Sequence, residues 1–380
     1  MQLHYIYWFL LTSTLGCFSE AYSLGNYLAS IESVSTPSPY ASTKEVTDKV
    51  SSRLWEKFWN KTISHWHDSC LSNNKAELWE ASVGTRAIGF SGNKSRAGEA
   101  ASSLLSYKDS SSGGYSALYP GTNDIYIDDD AQANWAFTTA YNVTKNSTFH
   151  DAARDMLKFM MSHVNDKVGG ITWHVNNNYI ASISTLEAGL AALRVNEIKH
   201  DEDFVNFGKY CLNWTFSNLL DPHDHFIYDG MDENHKVNKQ KYSYTIGVAI
   251  SALVKLHQID DTKNWKRMAT ELAARAIGNG KLNSIYYQNQ YLKDGVKFVH
   301  LLLVGFTDLV TQTQPQSDFE RNLYRALKNE VIRETRHIFD DNKNAMFNSS
   351  SCPQGQWGSL LSFSSVSQIF YQAKILTSFM

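Results

Sequence analysis

Apolar residues recur about every 3.6 positions along most of this chain, which is the period of an α-helix. Only six prolines occur among 380 residues, and no linker rich in proline or glycine divides the chain after residue 45. Long alternating patterns typical of strands are scarce, so the sequence predicts helices of about 12 to 18 residues throughout. The apolar stripes run through residues 46–58, 135–141, 156–160, 186–193, 204–220, 244–256, 265–277, 299–309, 323–339 and 363–376.

The loops between these helices alternate between short and long, which indicates antiparallel helical hairpins packed side by side. Ten or more such helices within about 350 residues can close into a toroid, with inner helices packed on outer ones. We therefore predict an all-α fold and a single domain over residues 45–380. The long loops would gather at one end of the toroid, where a cleft could hold polar chemistry.

Charge and aromatic content narrow the range of partners. A formal net charge of −3 and scattered Lys and Arg residues give no field that attracts a polyanion, so we expect no nucleic-acid partner. Aromatic residues make up 13% of the chain, including ten Trp and twenty Tyr. Such rings stack on pyranose rings in sugar-binding clefts, although large helical cores also contain many of them.

The N-terminus has the features of a secretory leader. An apolar run up to Phe18 is followed by Ser19 and Ala21 at the spacing of a cleavage site, so we expect a signal peptide over residues 1–21. No Lys or Arg precedes the run, which leaves a buried N-terminal helix as the alternative. Residues 22–44 then read as a flexible lead rich in Ser and Pro.

Asn-x-Ser/Thr sequons also support secretion, although their excess over chance is modest. The C-terminal apolar stretch is too short and too polar to be a lipid-anchor signal or a membrane span. We therefore expect a protein that is secreted, extracellular or in the cell wall, with no membrane span. The sequons begin at Asn60, Asn93, Asn142, Asn146, Asn213 and Asn348.

The cysteines permit at most one internal disulfide. Cys17 falls inside the expected signal peptide, which leaves Cys70, Cys211 and Cys352 in the mature chain, and the sequence does not show which two pair. No Cys-x-x-Cys or His-x-x-x-His spacing occurs, so we expect no structural metal and no organic cofactor.

Three consecutive carboxylates open a helical segment at residues 126–135, YIDDDAQANW. Each of Asp128, Asp129 and Asp130 raises the pKa of its neighbours, so one carboxyl can stay protonated while another is ionised. Glycosidases need that division of roles, with a nucleophile and an acid flanking the sugar. The simpler interpretation is helix capping or a loose cation site.

Two further loop segments and one helix carry groups suited to holding a sugar. Trp173, in the stretch GGITWH, could stack on a sugar or plug a hairpin core, and the adjacent His174 is a weaker candidate. Asp229, in Tyr-Asp-Gly, could bind sugar hydroxyls or simply form a turn. Tyr244 lies on an apolar helix and faces either the core or the cleft.

These motifs resemble glycoside hydrolase family 76, the endo-α-1,6-mannanases. YIDDDA at 126–131 is similar to the Asp-Asp-Asn helix start of that family, and the other matches follow in the same order along the chain. The resemblance spans roughly residues 45–380. The further matches are GGITW at 169–173, ASIS at 181–184, IYDG at 227–230, YSYTIGV at 242–248 and WG at 357–358.

The resemblance implies an (α/α)6 barrel and retaining hydrolysis of α-1,6-mannosyl bonds through a covalent glycosyl-enzyme. It makes Asp128 the nucleophile and Asp129 the general acid/base. Asp130 stands in place of the usual Asn and, with Trp173, His174, Asp229 and Tyr244, would bind substrate.

The chain departs from the family in several places. Gln132 and Ala133 replace common aromatics, and Thr245-Ile246 replaces Asn-Gln. Aligning on Trp135 instead would shift the catalytic pair toward Asp129 and Asp130.

Several functions remain open from the sequence. The first is a secreted glycosidase acting on the polysaccharide α-mannan, and the same carboxylates would serve a cell-wall transglycosidase on mannosyl glycans. A glycosidase for uronic acids would need a cation to hold the substrate carboxylate, and the three motif stretches contain none. A catalytically silent carbohydrate-binding relative would keep the aromatics and tolerate loss of the carboxylates.

Overall fold

The computed structural model describes residues 44–260, 264–278, 283–289, 291–343, 352–353 and 355–378. The expected signal peptide, nearly all of the expected lead and the sequon at Asn348 lie outside these residues. Twelve α-helices occur within the described part of the chain. They are α1 Lys44–Phe58, α2 Leu78–Phe90, α3 Lys94–Leu104, α4 Ile127–Thr144, α5 Ser147–Met161, α6 Ser182–Ile198, α7 Glu202–Leu219, α8 Ser243–Ile259, α9 Trp265–Ile277, α10 Val296–Gln312, α11 Asp318–Lys343 and α12 Leu360–Ser378.

The even-numbered helices form a closed inner ring. Each of α2, α4, α6, α8, α10 and α12 packs against the next, and α12 returns to α2. The odd-numbered helices lie outside this ring, each packed on its inner neighbours. The fold is therefore an (α/α)6 barrel, and the predicted all-α toroid is confirmed.

The side-chain patterns explain which helices lie inside. The inner helix α8 buries residues around its whole circumference, from Ser243 through Leu256. The outer helix α5 buries a single stripe that includes Phe149, Met156 and Met160. Close approach inside the ring also needs glycine, because a Cβ on Gly247 would lie 2.2 Å from the carbonyl oxygen of Leu301 on α10.

Long and short connections alternate, as the sequence predicts. Each inner helix passes to the next outer helix through a few residues, such as 91–93 or 145–146, whereas the return connections, such as 105–126 and 220–242, are long. The N-termini of the inner helices and the long loops therefore share one end of the barrel. The loops include the hairpin β1 Trp59–Asn60 with β2 His65–Trp66, the sheet of β3 Ile180–Ala181, β4 Gly230–Met231 and β5 Val237–Asn238, and the hairpin β6 Tyr287–Gln288 with β7 Tyr291–Leu292.

The cysteine pairing that the sequence left open is resolved. Cys70 and Cys352 form a disulfide with their Cα atoms 5.8 Å apart, while Cys211 is a buried thiol in α7. The bond joins the loop after β2 to the segment before α12, and so links the first and the last long loop of the barrel. No helix in the described part is both long and apolar enough to span a membrane.

Candidate active site

The cleft floor begins at the N-terminus of α4. Tyr126, the residue before α4, has extended backbone and its side chain does not cap the helix, so the N–H groups of Asp128 and Asp129 remain available to the Asp128 carboxyl. Asp128, Asp129 and Asp130 occupy the first helical turn. A helix N-terminus favours the ionised form of a nearby carboxyl through these N–H groups and its dipole.

Backbone pairing brings the predicted loop segments together beside this turn. The N–H of Ile127 donates to the carbonyl of Trp173 at 2.9 Å, and the N–H of Trp173 donates to the carbonyl of Tyr179 at 2.8 Å. β3 follows Tyr179 directly and pairs with β4, which places Asp229 alongside. Gly230 is required at this crossing, because a Cβ there would lie 2.3 Å from the carbonyl oxygen of Ile180.

Asp128 is a partly exposed carboxyl held by an indole. Its Oδ2 accepts a hydrogen bond of 3.1 Å from Nε1 of Trp173, while Oδ1 is buried without a hydrogen-bond partner among the described residues. Desolvation raises the pKa of Asp128 to about 6, opposed by the Trp173 bond and by the nearby N–H groups of Asp128 and Asp129. Asp128 is therefore mostly ionised at neutral pH.

Asp129 lies in surroundings that favour its protonated form. Desolvation raises the pKa of Asp129 well above its usual value, and the carboxyls of Asp128, Asp130 and Glu187 add to the effect in that order. Its side chain keeps partial contact with solvent although protein surrounds most of it. These surroundings therefore favour the protonated form of Asp129, next to Asp128, whose carboxylate accepts hydrogen bonds.

Asp130 is sealed inside the protein. Its side chain is 0% exposed, and both carboxyl oxygens accept from the backbone N–H of Tyr115, at 3.1 and 3.3 Å. Burial raises the pKa of Asp130 well above its usual value. In this position Asp130 holds the loop before α4 and does not face the cleft, so the structure does not place it where the sequence analysis put it, in contact with substrate.

Trp173 and His174 lie on the loop beside Asp128. The Trp173 side chain is 39% exposed, and the ring of Tyr126 contacts both Trp173 and His174, with centroids 5.1 and 4.6 Å away. Nδ1 of His174 accepts from the N–H of Asn176, so Nε2 donates to Asp124 at 3.0 Å. His174 thus fixes the loop, whereas Trp173 reaches the open cleft.

Asp229 lies within electrostatic range of Asp128, whose pKa it helps to raise. Its Oδ2 accepts from the Tyr179 hydroxyl at 2.5 Å and from Nδ2 of Asn238 at 2.8 Å. The sequence analysis did not single out Tyr179 or Asn238. No short motif marks them, because they meet Asp229 only through the pairing of β3, β4 and β5.

A row of four aromatic rings forms one wall. Tyr244 packs between Tyr242 and Phe298, with centroids 5.1 and 5.2 Å apart, and Trp79 lies 5.8 Å beyond Phe298. All four side chains are partly exposed. Burial and the charge of Asp229 raise the pKa of Tyr244, so its hydroxyl stays protonated. Tyr244 therefore belongs to the cleft as well as to α8.

Below the floor, Glu187 of α6 is 2% exposed. Its Oε1 accepts from Nε2 of Gln132 at 2.6 Å, and Oε1 of Gln132 accepts from the buried Arg86 at 3.0 Å. Desolvation, followed by the charge of Asp128, raises the pKa of Glu187 well above its usual value. The sequence analysis missed this residue, although a lone acid within the apolar segment LEAGLAAL was a usable signal.

The side chains of the site supply carboxyl groups, tyrosine hydroxyls and aromatic rings. In the part of the chain that the structure describes, no group of three or more His, Cys, Asp or Glu side chains is arranged to hold a metal ion. The site offers one carboxyl whose ionised form is stabilised, a neighbouring carboxyl whose protonated form is favoured, and a third carboxyl, Asp229, within electrostatic range. Such a set can attack a sugar carbon, protonate a leaving oxygen and bind hydroxyl groups.

Comparison with known proteins gives a family. The model of Glycosyl hydrolase family 76 matches residues 42–375. The α-1,6-mannanase of Salegentibacter sp. HEL1_6 superposes with a TM-score of 0.71 at 18% identity, over 87% of this chain and 99% of that one. An inactive variant of that mannanase, with two consecutive aspartates replaced by asparagine, has been solved with α-1,6-mannotriose.

Fungal proteins are similar too. Dfg5 of Chaetomium thermophilum, solved in complex with glucosamine, superposes with a TM-score of 0.60 at 12% identity, over 89% of this chain and 92% of that one. The Meiotically up-regulated gene 191 protein of Schizosaccharomyces pombe is 28% identical over an alignment of 152 residues that covers 36% of this chain. That match spans only 34% of the length of the Schizosaccharomyces protein.

Proposed function

Because this chain belongs to glycosyl hydrolase family 76, we propose that it is a secreted retaining glycosidase that cleaves α-1,6-mannosidic bonds in mannan. The observation that carries the proposal is the pair at the start of α4. Two neighbouring carboxyls share the cleft floor, and their surroundings favour opposite protonation states, Asp128 ionised and Asp129 protonated. A retaining glycosidase requires that combination.

In the first step Asp128 attacks the anomeric carbon. A carboxylate oxygen forms the new C–O bond while the glycosidic C–O bond breaks, and Asp129 transfers its proton to the departing oxygen. Asp129 is then ionised. It takes a proton from water, whose oxygen attacks the anomeric carbon and releases the Asp128 carboxylate. Atoms and charge balance, and both residues return to their starting states.

The surroundings support each role. The indole of Trp173 and the N–H groups at the helix start stabilise Asp128 as a carboxylate, both before attack and as the leaving group of the second step. Asp229, held by Tyr179 and Asn238, is positioned for sugar hydroxyls. The inactive Salegentibacter variant also supports the proposal, since its two replaced residues are consecutive aspartates, like Asp128 and Asp129.

A second candidate is transglycosylation at the same pair. The covalent intermediate of a retaining enzyme can pass to a sugar hydroxyl instead of water. The ring wall from Trp79 to Tyr242, a surface on which an acceptor could stack, favours this candidate. Its product would be a longer glycan rather than a new reducing end, so product size distinguishes the two.

The test is incubation with α-1,6-mannan, following reducing ends and product sizes. We expect wild type to release oligomannosides, and Asp128→Asn to lose at least about a thousandfold in turnover while staying folded. Asp130→Asn is the matched control in the same turn and should remain active, because the Asp130 carboxyl is buried and accepts from the N–H of Tyr115. Full activity of folded Asp128→Asn would refute the mechanism, whereas wild type that binds mannan but releases no oligomannosides would favour a silent binding protein.

A further inference from the structure

Sequons surround a groove that lies apart from the cleft. The groove has a volume of about 570 Å³ and runs along α3 toward the hairpin of β1 and β2. Ser95, the third residue of the sequon at Asn93, lines it on one side. Thr144, the third residue of the sequon at Asn142, lines the other side together with Asn146 itself.

The side-chain amides of Asn93 and Asn146 are presented in the same way. Each is exposed and precedes a helix, where Oδ1 accepts from a backbone N–H, that of Arg96 at 3.1 Å and that of Thr148 at 3.1 Å. Because Oδ1 points to the helix end, Nδ2 points away from it. Nδ2 is the atom to which an N-linked glycan is attached.

Asn60 provides an internal contrast. Its Oδ1 also accepts from turn N–H groups, including that of Thr62 at 2.9 Å, but its side chain is only partly exposed. Its Nδ2 lies 3.0 Å from Nε2 of His67, across the hairpin. A glycan on this nitrogen would have to displace the hairpin contact.

The lining of the groove suits a sugar chain. Besides Ser95 and Thr144, the lining includes hydroxyl, imidazole and charged side chains, those of Ser64, Ser102, Ser103, Ser106, His65, Lys94 and Glu99. The hydroxyls of Ser102 and Ser103 donate to carbonyls of α3, so they meet a sugar hydroxyl as acceptors. Hydroxyls both donate and accept hydrogen bonds, as sugar hydroxyls do. None of the cleft residues described above lines this groove, so an occupant would leave the active site open.

We propose that Asn93 and Asn146 carry N-linked glycans, that the glycan core on Asn146 lies in this groove, and that Asn60 stays unmodified. The ligand is thus an N-acetylglucosamine-based glycan attached to the chain itself. The proposal requires passage through a secretory pathway, but it is independent of the mannanase mechanism.

The first experiment is site mapping by mass spectrometry. The chain is expressed in a eukaryotic host behind a secretory leader of that host, which ensures entry into the pathway. The secreted, folded protein is then digested to glycopeptides. Their glycans are removed enzymatically in heavy-oxygen water, which labels each Asn that carried a glycan. We expect the label at Asn93 and Asn146 and none at Asn60. An unlabelled Asn146, or a labelled Asn60, would overturn the assignment.

A second experiment tests the docking. Thr148→Ala removes the sequon but keeps the Asn146 cap, and Ser147→Ala is its matched control because the middle position of a sequon tolerates alanine. With the glycan in place, Ser102→Trp should fill the groove at an exposed position. We expect endoglycosidase to release the Asn146 glycan about tenfold faster from native Ser102→Trp than from native wild type.

The controls for docking are simple. Activity on mannan should match wild type in all three variants, since none alters the cleft. Release from denatured proteins should be equally fast, which separates docking from changes in the glycan itself. Equal release from native wild type and native Ser102→Trp would contradict docking in the groove.

Discussion

The hydrogen bond between Trp173 and Asp128 gives a sharp prediction. Trp173→Phe keeps an aromatic ring on the loop but removes the N–H that donates to Oδ2 of Asp128 at 3.1 Å. That bond lowers the pKa of Asp128 against the larger effect of desolvation. Its loss should therefore raise the pKa of Asp128 above about 6 and weaken the enzyme on the acidic side.

The size of the effect follows from the bond. A hydrogen bond to a charged group contributes about 1.5–3 kcal/mol, and the lower end applies because the Trp173 side chain is 39% exposed. About 1.4 kcal/mol corresponds to about one pKa unit. A rise from about 6 to about 7 reduces the ionised fraction at pH 6 from about a half to about a tenth, a loss of about fivefold. At pH 8 both forms are almost fully ionised.

The assay measures kcat/KM on α-1,6-mannan from about pH 4.5 to about pH 8.5, with folding checked by circular dichroism. Wild type should lose activity as pH falls through about 6, where Asp128 gains its proton. Tyr126→Phe is the matched control, since it keeps the ring beside Trp173 and leaves the bond intact. An unshifted acidic limb in folded Trp173→Phe would refute the reasoning.

Four further variants probe the neighbours of the pair. Burial raises the pKa of Asp130, so the native protein keeps a proton that the unfolded chain loses above about pH 4. The free energy of unfolding should therefore fall as pH rises. Asp130→Asn should make this pH dependence, measured by urea unfolding, weaker. Glu187→Gln should retain activity and stability, since burial favours the neutral form of Glu187. Glu187→Ala should instead cost about 1–3 kcal/mol of unfolding free energy, because Nε2 of Gln132 loses its acceptor. Tyr179→Phe should raise KM about fivefold with a smaller change in kcat, by freeing Asp229; an unchanged KM would remove Asp229 from substrate binding.

Helical periodicity was sufficient to predict the architecture. Inner and outer helices differ in how much of their circumference is apolar, and the alternation of loop lengths fixes which end holds the cleft. The order of motifs along the chain also brought Asp128, Trp173 and Asp229 into one cleft. These features depend on local spacing, which a single sequence records directly.

The roles within the Asp triplet could not be read from spacing. Consecutive residues on a helix point about 100° apart, so three adjacent carboxylates span more than half of the circumference. Which one enters the core depends on how α4 is rotated in the ring, and packing against several other helices sets that rotation. The same limit applied to the disulfide, because Cys70 and Cys352 are 282 residues apart.

Gln132 shows how a departure from the family motif can be part of the site. It lies one helical turn below Asp128, where it receives a hydrogen bond from Arg86 and gives one to Glu187. Arg86 is buried, and burial lowers its pKa to about 9, so an unscreened cation lies beneath the floor. Gln132 accepts from this guanidinium, and Asp128 forms no ion pair among the described residues, where its side-chain partner is the indole of Trp173. Desolvation is then the largest effect on Asp128 and raises its pKa to about 6. Near that pH a nucleophilic carboxyl can be ionised while its acid partner is protonated.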